Sequence, residues 1–402
     1  MKSKQETARS SAPVLISIIL WMIVATGSAL YVSYFSEELS ADDWSGRSGF
    51  THIVLPDTFI YKNLFEDAGN SVEGIAVAGV KNALGPLLTW STLQFNWHYV
   101  AIFNSILVLI SLILALRLCV LLRIPRSSAL RITIVLGLMP VMIYYCIGAT
   151  KELPTLLLVT AFVYFYLRGS TLGWIAASAL LFVFRYQLLL LVLVFVSIDK
   201  VSRHPVRLTG ILLLAVSACF PLFATLGILN PETTEFLREE SESQSGAPIE
   251  QIRNSIPIAS AIAIVVRVLQ SLFVEPISAL LLELNSFVAG GDFSIMAFAI
   301  GVSSIVSAPY WLRAVYLCIR SILQERQMCS IDANRLYSFI LIFLVPVGGF
   351  SLIHHRYLFP LTVLIFVASL QGKASGRLQT PQRFKNETLG RGISIGNTQT
   401  PR

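Results

Sequence analysis

A lysine and a glutamate stand side by side inside one of the longest apolar stretches of this chain. The stretch runs from Leu130 to Arg168, with Lys151 and Glu152 near its middle. It is about forty residues long, roughly twice the length that one helical membrane crossing needs. Charged side chains are costly in hydrocarbon. The sequence therefore predicts two crossings, joined by a tip that carries Lys151 and Glu152.

Arg185 interrupts a second apolar stretch, residues 171–198. One helix through this stretch would place the guanidinium at the centre of the bilayer. It would also leave Lys200 and Arg203 on the side opposite to the other basic clusters, against the rule that basic loops stay inside. Two short helices with Arg185 at the tip between them satisfy both constraints. We therefore predict a hairpin.

The composition is that of a membrane protein with many crossings. The 402 residues are 55% hydrophobic and 13% charged, and the mean hydropathy is +0.71, whereas soluble domains carry about 25% charged residues. The net charge of +7 is concentrated at loop ends, which indicates membrane orientation rather than nucleic-acid binding. The five cysteines show neither metal-ligand spacing nor a disulfide framework.

The continuous apolar runs, which lack the alternation of barrel strands, predict an all-α protein. The basic loops then predict about ten transmembrane helices, with both termini in the cytoplasm. Residues 1–12 form a cytoplasmic N-terminus, residues 13–370 form the transmembrane domain, and residues 371–402 form a disordered cytoplasmic tail. Two outer loops are expected, at residues 36–98 and 230–292. The second contains an amphipathic or re-entrant element that lies at the outer interface.

This topology gathers ionisable residues on the outer face. They are Asp57, Lys151, Glu152, Arg185, Arg267, His354, His355 and Arg356. A carboxylate at Asp57 suits a general base that takes a proton from a hydroxyl. Asp42 and Asp43 compete for this role, and a turn or helix cap is the alternative for Asp57.

The cationic residues suit a phosphate group. Lys151 offers a compact point charge, and Arg185 offers a planar fork of donors. The alternatives are a lysine that marks a helix end at the interface and an arginine that serves as counter-ion to Glu152. His354 and His355 could transfer protons or anchor the helix at the interface. Because adjacent histidines point apart on a helix, no shared metal site is predicted.

These residues together resemble membrane glycosyltransferases of the GT-C type. The resemblance rests on an acidic first outer loop with Asp57 and Tyr61, on Lys151 and Glu152 opening a later helix, and on Arg185 at the next outer tip. The ending Arg356-Tyr357-x-x-Pro360 resembles the final-helix pattern of exopolysaccharide and O-antigen polymerase-like relatives. In some GT-C enzymes the first-loop carboxylate lies closer to the first helix, where this chain has Asp42 and Asp43.

The resemblance implies transfer of a sugar from a polyprenyl-phosphate or polyprenyl-diphosphate donor to a glycan acceptor. The reaction would take place on the outer face of a bacterial inner membrane, within cell-surface polysaccharide synthesis. Asp57 would act as the base, and Lys151, Arg185 and Arg356 would stabilise the leaving phosphate. A lipid-linked glycan flippase or another transporter is the main alternative, and a subunit of a glycan-assembly complex is a third. Dependence on a divalent cation stays open.

Overall fold

The structure, a computed structural model, describes residues 2–36, 39, 84–93, 96–148, 150–213, 215, 270–290, 294–323, 330–349 and 358–371. These residues form helices and turns without a β-strand, which confirms the all-α class. In chain order the helices are α1 (Lys2–Tyr34), α2 (Leu84–Thr92), α3 (Trp97–Leu121), α4 (Arg126–Gly137), α5 (Pro140–Cys146), α6 (Glu152–Arg168), α7 (Thr171–Val201), α8 (Glu275–Val288), α9 (Ile295–Leu323), α10 (Ile331–Gly349) and α11 (Thr362–Ser369). Residues 205–213, after α7, are also helical. A π-helical turn (Gln270–Val274) precedes α8, and a 3-10 turn (Phe359–Leu361) precedes α11.

Within the described residues, three helices are long and apolar enough to cross a membrane. They are Ala12–Tyr34 of α1, α3 and α9, and the bent pair α4 and α5 makes a fourth if counted as one span. This number falls short of the ten crossings expected from the loop charges. One reason is that several apolar segments fold into short helices. The seven residues of α5 and the eight of α11 extend only about 10 to 12 Å, against a hydrocarbon thickness of about 30 Å.

Sequence signals account for the boundaries around α3, α4 and α5. Asn96 caps α3, because its side chain accepts hydrogen bonds from the backbone N–H groups of His98 and Tyr99. Pro140 separates α4 from α5, since a residue before proline avoids the helical region, and Met139 has φ −65° and ψ 124°. The two helices are bent by 52°. The Ser303 hydroxyl of α9 accepts a hydrogen bond from Val141 N–H in the first turn of α5.

The helix α7 is a hairpin folded at Arg185, as the sequence predicts. Arg185 has the extended dihedrals φ −153° and ψ 87° inside the helix. The rings of Trp174 and Phe195 lie 6.1 and 5.1 Å from the ring of Tyr166, so they are at most about 11 Å apart. Twenty-one residues of straight helix would separate them by about 31 Å. The arm Thr171–Arg185 therefore runs back along α6, and residues 186–201 run forward again.

A constant sequence offset shows that α6 and residues 186–201 are parallel and in register. Glu152 contacts Arg185, Phe162 contacts Phe195, and Tyr166 contacts Asp199. Each pair is 33 residues apart. Such a constant offset requires two helices that rise together in the same direction. A contact at one end of these two helices therefore determines which residues face each other at the other end.

The turn between α6 and α7 depends on a glycine. Gly169 has φ 76°, a left-handed conformation that side chains other than glycine adopt at an energetic cost. Ser170 N–H donates to Phe165 O at 2.9 Å, and Gly169 N–H donates to Tyr166 O at 3.0 Å. These two bonds form the Schellman motif that ends many helices. The motif satisfies the last carbonyls of α6 and starts the return of the chain.

The 3-10 turn and α11 occupy the centre of the bundle. Every residue of these two elements is buried. Phe359 meets Tyr145 of α5 at a centroid distance of 4.5 Å, and Phe366 stacks on Tyr310 of α9 at 4.1 Å. A helix that is apolar all round is typical of such an enclosed position. One of the ten crossings expected from the loop charges covers residues 357–370, and the described residues 358–371 instead form a short central helix with its preceding turn.

The hairpin gives a direct distance test. Spin labels at Leu172→Cys and Val201→Cys, two exposed positions in α7, should lie within about 25 Å because both arms end beside the end of α6. A straight helix would separate them by about 43 Å. Pulsed electron paramagnetic resonance on protein with its native cysteines replaced by serine measures this distance.

The control pair for this measurement is Tyr99→Cys and Val120→Cys, which are exposed on the unbroken helix α3. These labels should lie about 31 Å apart. The pair that is farther apart in sequence should therefore be closer in space. A longer distance for the α7 pair than for the α3 pair would rule out the hairpin.

Candidate functional site

Glu152 and Arg185 form an ion pair in the interior of the bundle. Arg185 Nη2 donates to Glu152 Oε1 at 3.1 Å, and the two side chains are 7% and 1% exposed. Glu152 is the first residue of α6, where the helix dipole favours a negative charge. Residues 181–190 contain neither proline nor glycine. We attribute the break in α7 to this contact, since sharp kinks have a local cause.

Several chain segments meet at this position, which we call the Glu152 end. The hydroxyl of Tyr144, near the end of α5, is within electrostatic range of Glu152, Tyr145 and Tyr31. A small apolar cluster lies at the same end and joins the end of α1 to the start of α3. It contains Val32, Leu39, Ala101 and Ile147, packed by Tyr31, Phe35 and Trp97.

Asn104 of α3 holds the segment between α5 and α6 in place. Its Nδ2 donates to the carbonyl oxygens of Cys146 and Gly148 at 3.1 and 2.9 Å. The backbone N–H of Thr150 donates to the same Gly148 oxygen at 2.9 Å. Since two carbonyls require a donor, the amide nitrogen must face them, and Oδ1 points away. Asn104 therefore fixes the position of the residues that lead directly into Lys151 and Glu152.

Four buried polar atoms at the Glu152 end have no hydrogen-bond partner among the described residues. They are Asn104 Oδ1, Tyr144 Oη, Thr150 Oγ1 and Glu152 Oε2. Each such group costs about 1 to 3 kcal/mol in a folded protein. Native structures contain few of them, and each one requires an explanation, such as strain, a catalytic role, or a bound water or ion. Two of the four atoms are acceptors and two belong to hydroxyls, so together they can bind a ligand that donates hydrogen bonds.

The structure brings together two of the predicted site residues and places a third beside them. Glu152 and Arg185 are in contact, which matches the interpretation of Glu152 as the counter-ion of Arg185. Lys151 is half-buried and directly precedes α6. The other predicted residues lie outside the described part of the chain. They are Asp42, Asp43, Asp57, Arg267, His354, His355 and Arg356.

The described residues that flank two of these undescribed segments lie near the Glu152 end. Helix α2 lies in the last part of the first outer loop, after Asp57, and a Cβ at Gly85 would lie 2.3 Å from Cδ1 of Phe184, the neighbour of Arg185. Phe359, three residues after Arg356, packs on Tyr145 of α5. Both segments therefore rejoin the described structure close to the ion pair.

A second polar cluster occupies the opposite end of α6, which we call the Asp199 end. Asp199 accepts hydrogen bonds from the Tyr166 hydroxyl at 2.6 Å and from Arg335 Nε at 2.9 Å. Its side chain is 5% exposed, and Arg335 also lies 3.7 Å from Asp332. Sequence reasoning missed this cluster. A signal was present, because Asp199 follows Arg185 by the same fourteen residues that separate Tyr166 from Glu152.

Sequence reasoning also missed Asn104, Tyr144 and Thr150. Asn104 could have been noticed because it is an asparagine inside an apolar helix. Tyr144 and Thr150 are residue types that are common in such sequences, so nothing in the sequence distinguishes them. In the described part of the chain, no group of three histidine, cysteine, aspartate or glutamate residues could hold a metal ion. Comparison with protein-family models, curated proteins and solved structures finds no match to this chain.

Removing one partner of the ion pair should destabilise the protein strongly. Glu152→Gln or Arg185→Met alone should lower the free energy of unfolding by about 3 to 5 kcal/mol, because each leaves a buried charge without its counter-ion. The double variant should lose less than the sum of the two single losses. Chemical unfolding in detergent, followed by tryptophan fluorescence, measures these changes. Asp332→Asn is the control, since this half-exposed residue is about 3.7 Å from Arg335 and exposed pairs contribute only about 0 to 1 kcal/mol.

Removing an unsatisfied hydroxyl should not destabilise the protein. Tyr144→Phe and Thr150→Val each delete a buried oxygen without a described partner, so we expect the free energy of unfolding to stay within about 0.5 kcal/mol or to increase. Thr160→Val is the matched control, because the Thr160 hydroxyl donates to Leu156 O at 2.8 Å within α6. A loss above about 1 kcal/mol for Thr150→Val would show that its hydroxyl has a structural partner.

Proposed function

We propose that this chain is a multi-helix membrane protein that transfers a sugar from a polyprenyl-phosphate or polyprenyl-diphosphate donor. The reaction takes place at the Glu152 end, on the extracytoplasmic face of the membrane. The observation that carries this proposal is the group of buried polar atoms without a described partner around the buried pair of Glu152 and Arg185. Ionisable residues in such surroundings are costly and are functional candidates by default.

The chemistry assigns different roles to the acids and the cations. A first-loop carboxylate, Asp57 or else Asp42 or Asp43, accepts the proton of the acceptor hydroxyl. The acceptor oxygen forms a bond to the anomeric carbon of the donor sugar, and the bond from that carbon to the phosphate oxygen breaks. The electron pair leaves with the phosphate, whose charge Lys151, Arg185 and Arg356 stabilise.

The ion pair contributes orientation to this scheme. An arginine held by a buried carboxylate has few orientations available, so its guanidinium is oriented before the substrate arrives. Catalysis by such preorganised groups requires little rearrangement during the reaction. Glu152 is therefore a positioning residue for Arg185 in this proposal. In this proposal α6 and both arms of α7 also cross the membrane. Each of these three helical segments is about 22 to 26 Å long.

A lipid-linked glycan flippase is the second candidate. Two interrupted helical segments, between α5 and α6 and within α7, meet at the Glu152 end. Discontinuous helices that meet at polar groups are typical of transporter binding sites. The two proposals predict different lipid-linked products in cells that lack this protein. Loss of one sugar indicates a transferase, a change in chain length indicates a polymerase, and accumulation of the precursor on the cytoplasmic side indicates a flippase.

Charge removal at the two ends of α6 tests the location of the reaction. Lys151→Gln should lower glycan transfer at least tenfold, because a charge-assisted contact to the phosphate contributes about 1.5 to 3 kcal/mol. Arg168→Gln is the matched control, since it removes the same charge at the other end of the same helix, and transfer should be unchanged. Radiolabelled glycan formation in membranes, normalised to the amount of protein, measures both. Equal activity in the two variants would contradict a site at the Glu152 end.

The catalytic base is tested separately. Among Asp57→Asn, Asp42→Asn and Asp43→Asn, one variant should lose transfer by at least about a hundredfold, the order of a general-base contribution. The amount of protein in the membrane should be unchanged. Full transfer by all three variants would exclude a base in the first outer loop.

A further inference from the structure

Exposed basic residues gather at the Asp199 end of the bundle. They come from the last residue of α6, from the end of α7 and from the residues that follow it. We call this group the basic rim: Arg168, Lys200, Arg203, His204 and Arg207. The parallel register of α6 with residues 186–201 places these segments side by side, because Tyr166 of α6 contacts Asp199 of α7.

The acid beside the rim does not neutralise it at the surface. Residues 198–207 contain one acid, Asp199. Its carboxylate is turned inward, where it accepts hydrogen bonds from Tyr166 and Arg335. Both of its oxygens are engaged, one by each partner. The outward charge of this segment therefore comes from its cations. This arrangement follows from the fold, since the sequence Asp199-Lys200 by itself suggests a neutral pair.

Exposed apolar side chains border the basic rim. Leu172 and Val201 are both 82% exposed, and Ile175 and Ile211 also face outward. Leu172 and Ile175 lie at the start of α7, shortly after Arg168. Val201 lies at the end of α7, and Ile211 lies in the helix of residues 205–213. A surface with cations beside apolar side chains fits a ligand that carries both an anionic group and a hydrocarbon chain. Nucleic acid or a soluble acidic protein would match the cations and leave the apolar part exposed.

We propose that the basic rim binds the headgroups of anionic phospholipids, with the acyl chains covering Leu172, Ile175 and Val201. Each lysine or arginine close to a membrane surface strengthens attraction to anionic lipid about fivefold. The chain thereby gains a lipid-binding site at the end opposite to the proposed reaction site. Binding of this kind depends on charge and is screened by salt.

The full-length protein in a neutral detergent tests this proposal. The probes are palmitoyl-oleoyl phosphatidylglycerol and palmitoyl-oleoyl phosphatidylcholine, and native mass spectrometry measures the dissociation constant of each. We expect tighter binding of phosphatidylglycerol, and a loss of about twenty-five-fold in the variant Lys200→Gln with Arg203→Gln. Phosphatidylcholine binding should not change. The charge-preserving variant Lys200→Arg with Arg203→Lys should retain the preference for phosphatidylglycerol.

The control removes two exposed cations elsewhere. Arg126→Gln with Arg131→Gln changes α4, which packs on α1 and α3, and should weaken phosphatidylglycerol binding clearly less than the rim variant does. Equal binding of the two lipids by the unmodified protein would overturn the proposal. So would an equal loss in the control, since it would indicate attraction by net charge rather than by the basic rim. Circular dichroism of each variant verifies that the helices are formed.

Discussion

The ion pair between Glu152 and Arg185 is the interaction on which the rest of this architecture depends. It joins the first residue of α6 to the tip of the α7 hairpin in surroundings where an unpaired charge would be strongly destabilising. Once this contact is fixed, the common offset of 33 residues aligns Phe162 with Phe195 and Tyr166 with Asp199. One buried contact thus determines the register of two helices and the position of a second polar cluster about 21 Å away.

The charged residues in the apolar sequence were the most informative part of it. Lys151 and Glu152 predicted the boundary between α5 and α6, and Arg185 predicted the hairpin tip, because charge in hydrocarbon has few acceptable positions. The all-α class followed from the continuous apolar runs. The number of crossings was not predictable in the same way. Loop charges determine the direction of a segment but not its length, so the central helix α11 was mistaken for a crossing.

The polar atoms around the ion pair were beyond prediction for a related reason. Tyr144 lies near the end of the apolar helix α5 and Thr150 lies in the segment that follows it, and only their enclosure without described partners distinguishes them. The Asp199 cluster depends on the parallel register, which requires both the hairpin and its exact turning point. Sequence spacing can suggest a turn within a few residues. A hydrogen bond between side chains requires the turn to be correct to a single residue.

The central position of α11 has a consequence for the way this protein is assembled. Every other described helix precedes α11 in the chain, yet α11 and its 3-10 turn fill the middle of the bundle between Tyr145, Tyr310 and Tyr337. During synthesis the earlier helices therefore leave an apolar groove unfilled until residues 358–371 have been made. Completion of the core is postponed until this segment has been synthesised, so a chain interrupted before Leu358 would display that groove to the quality-control machinery of the cell.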